Sequence, residues 1–411
     1  MQFFVFLLFI FSKMDKLASK SNILIQDQGL EFIRSLSHKI DWNNRLIGIL
    51  GARGTGKTTL LLQHLKQQYG VGTEAIYLSM DDIYFTQNRL TDFAETFRSQ
   101  GGKTLFLDEV HRYPDWAREI KNIYDFYKDL RIVFTGSSIM DMIRQNTDLS
   151  RRAVQYDLPG LSYREFLQLS GIISLSPIPF NDLLANHVRI AADISSKIKP
   201  LQHFGNYLSY GYYPFFLEDQ RTYGIRLEQV VRLIIESDLQ FIEGLDPQKT
   251  RKIFQLLYIL ATNVPFKPNI TKLSEKTGIH RNTIVEYLHY LEKARLINSL
   301  SAAGKSISTL QKPDKIFLEN TNLHYTLAPG KVDKGALRES FFLNQLNNAG
   351  HFAALPAQGD FLIDEKFTFE IGGKAKSSEQ ILQIKDAWIA ADDIEIGAYN
   401  KVPLWLFGLL Y

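Results

Sequence analysis

A glycine-rich segment between a predicted strand and a predicted helix constrains the fold of this chain most. It reads Gly51-Ala52-Arg53-Gly54-Thr55-Gly56-Lys57-Thr58, after the apolar run 46–50 and before the helical pattern 59–69. A short apolar run of this kind is typical of a strand buried in a parallel sheet. Glycines allow backbone N–H groups to surround an anion, and the helix N-terminus adds partial positive charge. The spacing G-x-x-x-x-G-K-T therefore predicts a P-loop on a parallel α/β sheet.

The residue types of the loop predict ATP and Mg²⁺ as ligands. Lys57 is expected to reach the β- and γ-phosphates, and the Thr58 hydroxyl to ligate Mg²⁺. The other predicted nucleotide contacts come from Gly51, Ala52, Arg53, Gly54, Thr55, Gly56 and Thr59.

An acidic pair follows a later apolar run. Residues 103–107 predict a strand that ends in Asp108-Glu109. This is the Walker B pattern, in which Asp108 would hold magnesium through water and Glu109 would orient and polarise the attacking water. A competing pair, Asp81-Asp82, follows the predicted strand 75–80, but its position suits the second strand of such a sheet.

The next predicted strand, 131–138, ends in small hydroxyl residues. In ATPases with a catalytic glutamate after Walker B, this strand lies between the P-loop strand and the Walker B strand. Ser137 or Ser138 is therefore a candidate sensor of the γ-phosphate. The alternative is that these hydroxyls cap a helix beginning near Asp141.

Two arginines precede the predicted strand 153–158. Arg151 or, as the preferred candidate, Arg152 would neutralise charge in the transition state, within one chain or across a subunit interface. The alternative is a pair of solvated arginines.

Four segments in this order, GARGTGKTTLL, LFLDEVHRYPDW, VFTGSS and DLPGLSYREF, resemble a prokaryotic family of AAA+-like ATPases often called archaeal-type. The resemblance implies an ATPase domain, then a DNA-binding-like helical module and a nuclease-like C-terminal domain. Residues 210–214 (YGYYP) look like the family's joint after the ATPase domain, and 403–408 (PLWLFG) like its C-terminal strand. Family members commonly carry Gly-Arg at Arg151-Arg152. Asp108–His111 mimics a helicase box, but no second set of helicase motifs is visible.

The ends of the chain need separate interpretation. Residues 2–12 form an apolar run about half as long as a membrane span, with no basic flank and no cleavage site. We interpret Met14 as the natural start, with a membrane anchor as the alternative. The chain contains no cysteine, which excludes disulfides and fits a reducing cytoplasm.

The middle of the chain changes character at Lys249. Residues 161–245 have helical spacing interrupted by Pro177, Pro179 and Pro200, which predicts a helical lid or linker.

Helices predicted at 251–262, 270–278 and 281–294, then a strand at 296–297, describe a winged helix-turn-helix. Ten Lys or Arg against three Glu over 249–305 give this region a net +7, whereas the whole chain has +3. Duplex DNA contact is predicted for His280, Arg281, Asn282 and His289; the alternative is a docking module that reads no DNA.

Acidic residues in the last hundred residues resemble the magnesium site of PD-(D/E)xK nucleases. Glu339 lies on a predicted helix, 335–346, and Asp360 and Glu370 on a predicted hairpin, 360–371. The lysine of that pattern should stand at Gly372, and the nearest lysine is Lys374. A decayed, structural or partner-binding domain is therefore favoured over an active nuclease.

The predicted architecture is α/β: a P-loop sheet followed by helical and α+β domains. Its segments are an N-terminal tail (1–20), an ATPase domain (21–160), a helical lid (161–248), a winged helix (249–310) and a nuclease-like domain (311–411). The predicted function is magnesium-dependent ATP hydrolysis that drives a conformational change in a DNA-associated assembly, with an unknown protein partner or oligomerisation left open. The alternatives are a nucleotide-dependent switch with little turnover and an ATP-gated nuclease.

Overall fold

The computed structural model describes residues 2–138, 148–239, 246–265, 267–304, 312–330, 332–377 and 379–411, with side chains except those of 2–13, 148, 150 and 380. The chain forms two compact units, Met1–Leu158 and Pro159–Tyr411. This boundary lies close to the predicted end of the ATPase domain at 160; the finer divisions at 248 and 310 stay predictions. The helix predicted near Asp141 lies outside the described residues, as do Leu245, Lys305 and Gln311. Within the described ranges, no helix combines the length and apolar character needed to cross a membrane.

The first unit is built on a five-stranded parallel sheet. Its strands are β1 (Leu46–Gly51), β2 (Ala75–Ser79), β3 (Thr104–Asp108), β4 (Arg131–Ser137) and β5 (Val154–Asp157), in the order β2-β3-β4-β1-β5. The prediction that β4 lies between the P-loop strand and the Walker B strand is confirmed. The carboxyl ends of β1, β4 and β3 are therefore neighbours at one edge of the sheet, which is where open parallel sheets bind ligands.

Helices cover both faces of this sheet. They are α2 (Lys57–Gln68), α3 (Leu90–Ser99) and α4 (Trp116–Phe126). Leu46 and Leu50 of β1 share one hydrophobic core with α3 and α4, whereas Ile47 and Ile49 share another with α2. Burial on both faces explains why the sequence of β1 is a continuous apolar run and does not alternate.

The N-terminal helix α1 (Gln2–Asp27) belongs to the first unit and packs against its sheet and helices. Met14 and Leu17 belong to the same core as α3 and α4, and Ile25 to the core of α2. The Ser21 hydroxyl accepts a hydrogen bond of 3.0 Å from the backbone N–H of Tyr77 on the edge strand β2. The assignment of residues 14–20 to a tail is therefore wrong. Their apolar residues recur at helical spacing, and the helix covers an otherwise open sheet edge.

The second unit begins with helices separated by proline and glycine. They are α5 (Tyr163–Leu169), α6 (Phe180–Ser195), α7 (Pro200–Tyr210) and α8 (Tyr223–Leu233), which continues as a π-helix over Ile234–Asp238. Pro179 immediately precedes α6 and Pro200 is the first residue of α7, which confirms their prediction as boundaries. Gly211 is the residue at which α7 ends, and it has no room for a side chain. An added Cβ would lie 2.6 Å from the Cα of Tyr207.

Three further helices and an antiparallel strand pair follow. They are α9 (Pro247–Ala261), α10 (Ile270–Thr277), α11 (Arg281–Lys293), β6 (Ile297–Leu300) and β7 (Lys315–Leu318). Gly278 ends α10 with a left-handed φ of +65°, as its glycine predicted, and His280 caps the start of α11. The three helices predicted here are confirmed, with shifts of a few residues at their ends.

A second five-stranded sheet forms the C-terminal part of this unit. It is accompanied by α12 (Thr321–Leu327) and α13 (Lys334–Asn348), and its strands are β8 (Ala353–Ala354), β9 (Phe361–Ile363), β10 (Phe367–Gly372), β11 (Ala387–Ala391) and β12 (Lys401–Pro403), in the order β12-β11-β10-β9-β8. β9 and β10 pair antiparallel, so the predicted hairpin is confirmed, while β10 pairs parallel with β11. Phe342 of α13 packs on the sheet, with its ring centroid 4.9 Å from that of Phe369.

The resemblance-based strand at 403–408 is wrong. β12 ends at Pro403, and Leu404–Leu409 form a buried 3-10 helix. A short, fully apolar run fits a buried strand and a buried helical turn equally well, so periodicity could not separate the two.

Candidate nucleotide-binding site

The loop between β1 and α2 has the conformation that its glycines predict. Gly54 and Gly56 have φ values of +83° and +93°, in the left-handed region that side chains disfavour. The Lys57 ammonium folds back over the loop and donates to the carbonyl oxygens of Gly51 and Ala52, each at 3.0 Å. A cation is thus held beside backbone amides at a helix N-terminus, where a phosphate group is stabilised.

Side chains outside the motif fix the shape of the loop. The buried guanidinium of Arg34 donates to the carbonyl oxygen of Thr55 at 2.7 Å, and the Thr55 hydroxyl donates to that of Ala52 at 2.9 Å. An added Cβ at Gly51 would lie 2.4 Å from the carbonyl oxygen of Leu158, so this glycine is needed for close packing. Arg34 was not anticipated from the sequence, because it lies outside any motif.

The two predicted magnesium ligands are in contact. The Thr58 hydroxyl at the start of α2 donates to Asp108 Oδ2 at 2.7 Å. Asp108 ends β3 and is only 3% exposed. Magnesium prefers oxygen ligands and commonly takes one or two protein carboxylates, with water and phosphate oxygens completing its shell. These two residues therefore fit the ion.

Two more hydroxyl groups bind the Asp108 carboxylate. The Tyr77 hydroxyl donates to Oδ2 at 2.8 Å, and the Thr135 hydroxyl donates to Oδ1. Burial, and then the negative charge of Asp108, raise the pKa of Tyr77 above its ordinary value, so the phenol stays protonated and remains a donor. Sequence reasoning missed both residues, since each lies inside an apolar strand.

Glu109 immediately follows β3 and has an unusual backbone. Its φ of +54° lies in the left-handed region, which is uncommon for a non-glycine residue and frequent at functional sites. Its N–H donates to the Thr135 hydroxyl at 3.0 Å. Its carboxylate oxygen Oε2 lies 3.2 Å from Nε2 of the buried His111. The predicted catalytic glutamate is thus held at the same sheet edge as the P-loop.

The competing acidic pair has other contacts. The Ser79 hydroxyl donates to Asp81. Asp82 accepts from the N–H of Tyr84 at 2.9 Å, capping a 3-10 turn, and its carboxylate lies 2.6 Å from the ammonium of Lys20. These local contacts support ranking Asp108-Glu109 above this pair.

The sensor candidates lie at the end of β4, beside the P-loop strand, whereas the preferred arginine candidate contacts a carboxylate on α4. Ser137 is buried at the end of β4, directly opposite Gly51 in the parallel register, and Ser138 is also buried. Arg152 instead donates twice to the carboxylate of Asp125 on α4, at 3.0 Å each. A sensor role for Ser137 and a catalytic role for Arg152 stay predictions.

Two of the three acidic residues predicted for a nuclease site are paired with lysines. Glu339 Oε2 lies 2.5 Å from Lys315 Nζ, and Glu370 Oε2 lies 2.5 Å from Lys376 Nζ. Asp360 Oδ2 accepts from the N–H of Ile371 at 2.8 Å. Burial raises the pKa of Glu339 above its ordinary value, against the opposing influence of Lys315. In the parts of the chain with described side chains, no three His, Cys, Asp or Glu residues are grouped as a metal site.

Lys376, and not Lys374, is the lysine beside the strand glutamate. An added Cβ at Gly372 would lie 2.7 Å from the Cβ of Lys376, so the stem of this lysine fills the space that a side chain at 372 would need. Spacing along the sequence could not identify Lys376, because the chain turns back after β10 and brings a more distant residue over the strand.

Three of the four predicted DNA-contacting residues lie at the start of α11. His280, Arg281 and Asn282 are exposed, as are Lys272 and Lys276 on the preceding helix α10. His289 is different, because it is half-buried further along α11, and burial lowers its pKa below the ordinary value. A DNA contact of His289 stays a prediction, and so do those of the exposed residues.

Comparisons with known proteins agree with the geometry of the first unit. Residues 43–167 match the model of a family described as an AAA domain. The match supports an AAA+ ATPase assignment for this part of the chain. Residues 201–332 match a family described as a domain of unknown function, which spans most of α7 through α12.

One curated relative resembles nearly the whole chain. It is an uncharacterized protein of Methanocaldococcus jannaschii, 29% identical over 389 residues that cover 87% of this chain and 81% of the relative. A relative of this length indicates that the two units occur together in another protein.

Solved structures have lower sequence identity to this chain than that relative has. AMPPCP-bound DnaA from Aquifex aeolicus is 17% identical, with a TM-score of 0.27 over 62% of this chain and 84% of that one. The Hsp104–ADP complex of S. cerevisiae is 18% identical, with a TM-score of 0.29 over 64% of this chain and 38% of that one. Both TM-scores are too low to indicate a shared overall arrangement.

Proposed function

We propose that the first unit binds ATP with magnesium and hydrolyses it. The observation that carries this proposal is the convergence of Lys57, Thr58, Asp108 and Glu109 at one sheet edge, with Thr58 and Asp108 2.7 Å apart. Each of these residues has the chemistry that phosphoryl transfer to water requires: a cation, two oxygen ligands and a carboxylate. The AAA domain match covers the same residues.

The protein's own groups divide the work of hydrolysis. Lys57 and the loop amides bind and orient the phosphates, which places the reacting phosphoryl group. Thr58 and Asp108 would hold magnesium, whose positive charge stabilises the charge that develops on the phosphoryl oxygens. Glu109 orients a water molecule and draws its proton, so that the oxygen attacks phosphorus as the bond to ADP breaks.

A nucleotide-dependent switch is the alternative to an active hydrolase. Steady-state phosphate release with ATP and Mg²⁺, measured with and without duplex DNA, separates the two. Turnover that DNA increases supports a DNA-coupled ATPase, and substantial turnover that DNA does not change supports an ATPase that is not coupled to DNA. Tight ATP binding without turnover in either condition would favour the switch.

We also propose that α10 and α11 form the DNA-contacting part of a winged helix, with β6 and β7 at the base of the wing. The exposed residues Lys272, Lys276 and Arg281 support this, because phosphate contacts supply most non-specific affinity. Low-affinity duplex binding should weaken steeply as salt rises. Replacing Arg281 by Glu should weaken binding about 5- to 10-fold in low salt and flatten the salt dependence.

Fluorescence anisotropy with a labelled duplex over a salt series measures both effects. Lys197→Glu is the matched control, since it reverses an exposed charge outside α10 and α11, in a residue paired with Asp193. Equal losses in the two variants, or binding that does not change with salt, would favour a module that docks on protein.

The C-terminal sheet is proposed as a binding or scaffolding element and not as a nuclease. Glu339 on α13 and Glu370 on β10 are each engaged by a lysine ammonium at 2.5 Å, and among the described side chains no three His, Cys, Asp or Glu residues are grouped to hold a metal ion. Plasmid DNA incubated with the protein and Mg²⁺, with and without ATP, should therefore stay intact. Cleavage that is lost in Glu370→Ala and in Lys376→Ala, but kept in the control Lys374→Ala, would establish a nuclease that uses Lys376 as its lysine.

A further inference from the structure

The Asp108 carboxylate accepts hydrogen bonds from three hydroxyl groups, and the proposed hydrolysis uses only one of them. Thr58 would ligate magnesium through its hydroxyl oxygen. The Tyr77 hydroxyl, 2.8 Å from Oδ2, and the Thr135 hydroxyl on Oδ1 have no role in that scheme. Each of these two hydroxyls donates to a different oxygen of the Asp108 carboxylate, Tyr77 from β2 and Thr135 from β4.

The strand order explains how these two hydroxyls reach one carboxylate. β3 lies between β2 and β4, so its last residue has a neighbour on each side. Tyr77 stands opposite Phe106 in the parallel register, and its long side chain extends along the sheet to Asp108. Thr135 follows Phe134, the partner of Leu107, and its short side chain reaches Asp108 directly.

A buried carboxylate needs such partners. Asp108 is 3% exposed, and a desolvated charge is unfavourable unless hydrogen bonds replace the lost water. Tyr77 and Thr135 donate to Asp108 from the strands on either side of β3, whereas Thr58, the third donor, would also give its hydroxyl oxygen to the metal. Partners of this kind orient a ligand, and removing one commonly lowers metal affinity 10- to 100-fold.

We propose that Tyr77 is a positioning residue that fixes the Asp108 carboxylate for magnesium, with Thr135 holding the other oxygen. This inference rests on the proposed function. Thr135 has a second task, because its hydroxyl also accepts from the N–H of Glu109 at 3.0 Å. Loss of the Thr135 hydroxyl thus disturbs the metal ligand and the water-activating residue together, whereas loss of the Tyr77 hydroxyl disturbs only the metal ligand.

The sheet contains a matched control for the tyrosine. The hydroxyl groups of Tyr69 and Thr104 are hydrogen bonded at 2.9 Å, and Thr104 begins the same strand β3 that Asp108 ends. Tyr69→Phe and Tyr77→Phe therefore each remove one phenolic hydroxyl bonded to β3, at opposite ends of the strand. If Tyr77 had a merely structural role, the two variants would show the same Mg²⁺ dependence of ATP binding.

The test measures ATP binding by calorimetry across a Mg²⁺ series and again in EDTA. Tyr77→Phe should raise the half-saturating Mg²⁺ concentration about 10-fold or more and leave ATP affinity in EDTA unchanged. Tyr69→Phe should change neither quantity. The same Mg²⁺ dependence in Tyr77→Phe and in the wild-type chain would overturn the inference.

Thr135 gives an independent test if Tyr77→Phe fails to fold. Thr135→Val replaces the hydroxyl by a methyl group of similar size and should raise the Mg²⁺ requirement, whereas Thr135→Ser keeps the hydroxyl and should restore it. Equal Mg²⁺ requirements in Val and Ser variants would contradict the two-sided support of Asp108. A wild-type chain that binds no ATP, with or without Mg²⁺, would overturn the proposed function itself. That outcome is distinct from the failures of the Tyr77 test and of the Thr135 test.

Discussion

Replacing Lys57 by alanine is expected to abolish measurable ATP binding. Lys57 is 5% exposed and its ammonium lies over the loop, 3.0 Å from two of its carbonyl oxygens, so its removal leaves the phosphates without this cation. Charge-assisted hydrogen bonds to phosphate in a protected site are among the strongest a protein makes, and the loss should be at least ~3 kcal/mol, or over 100-fold in affinity. Calorimetric titration with ATP and Mg²⁺ measures it.

Lys66→Ala is the matched control for this change. Lys66 lies on the same helix, α2, but its ammonium donates to the carbonyl oxygens of Gln26 and Gln28, away from the loop. This variant should bind ATP as the wild-type chain does, and both variants should unfold at similar temperatures. ATP affinity that Lys57→Ala leaves unchanged would refute the P-loop assignment.

Replacing Glu109 by glutamine should separate binding from hydrolysis. The amide keeps the size of the side chain but cannot draw a proton from water. The Thr58–Asp108 contact of 2.7 Å does not involve this residue, so ATP and Mg²⁺ should still bind. Hydrolysis should slow at least ~100-fold, the usual contribution of a positioned general base.

Glu74→Gln makes the same chemical change at the opposite end of the sheet. Glu74 precedes β2, and its carboxylate pairs with the ammonium of Lys103 at 2.6 Å on the surface. Its hydrolysis rate should equal that of the wild-type chain. Should Glu109→Gln hydrolyse ATP at the wild-type rate, another residue activates the water, and Asp81 and Asp82 would be the next to test.

The sequence was most informative where chemistry depends on a contiguous motif. The P-loop, the acidic pair at the end of β3 and the place of β4 followed from short segments, because phosphate binding requires fixed residue types at fixed spacing. Helix limits at Pro200 and Gly278 followed from backbone rules in the same way. These features depend on neighbours in sequence.

The sequence was least informative where residues meet through space. Tyr77 and Thr135 lie in apolar strands and belong to no contiguous motif. Only the strand order brings both to Asp108. Lys376 is a similar case, since a turn after β10 places it over Gly372. A polar residue inside a buried strand was the available signal for Thr135, because buried polar side chains require partners.

The most direct test of the central claim is single-turnover hydrolysis, with protein in excess over labelled ATP and Mg²⁺ added to start the reaction. The wild-type chain should convert its bound ATP to ADP only after Mg²⁺ is present, and Glu109→Gln should do so at least ~100-fold more slowly. ATP that stays intact on the wild-type chain, or that is converted equally fast by Glu109→Gln, would contradict hydrolysis at this site.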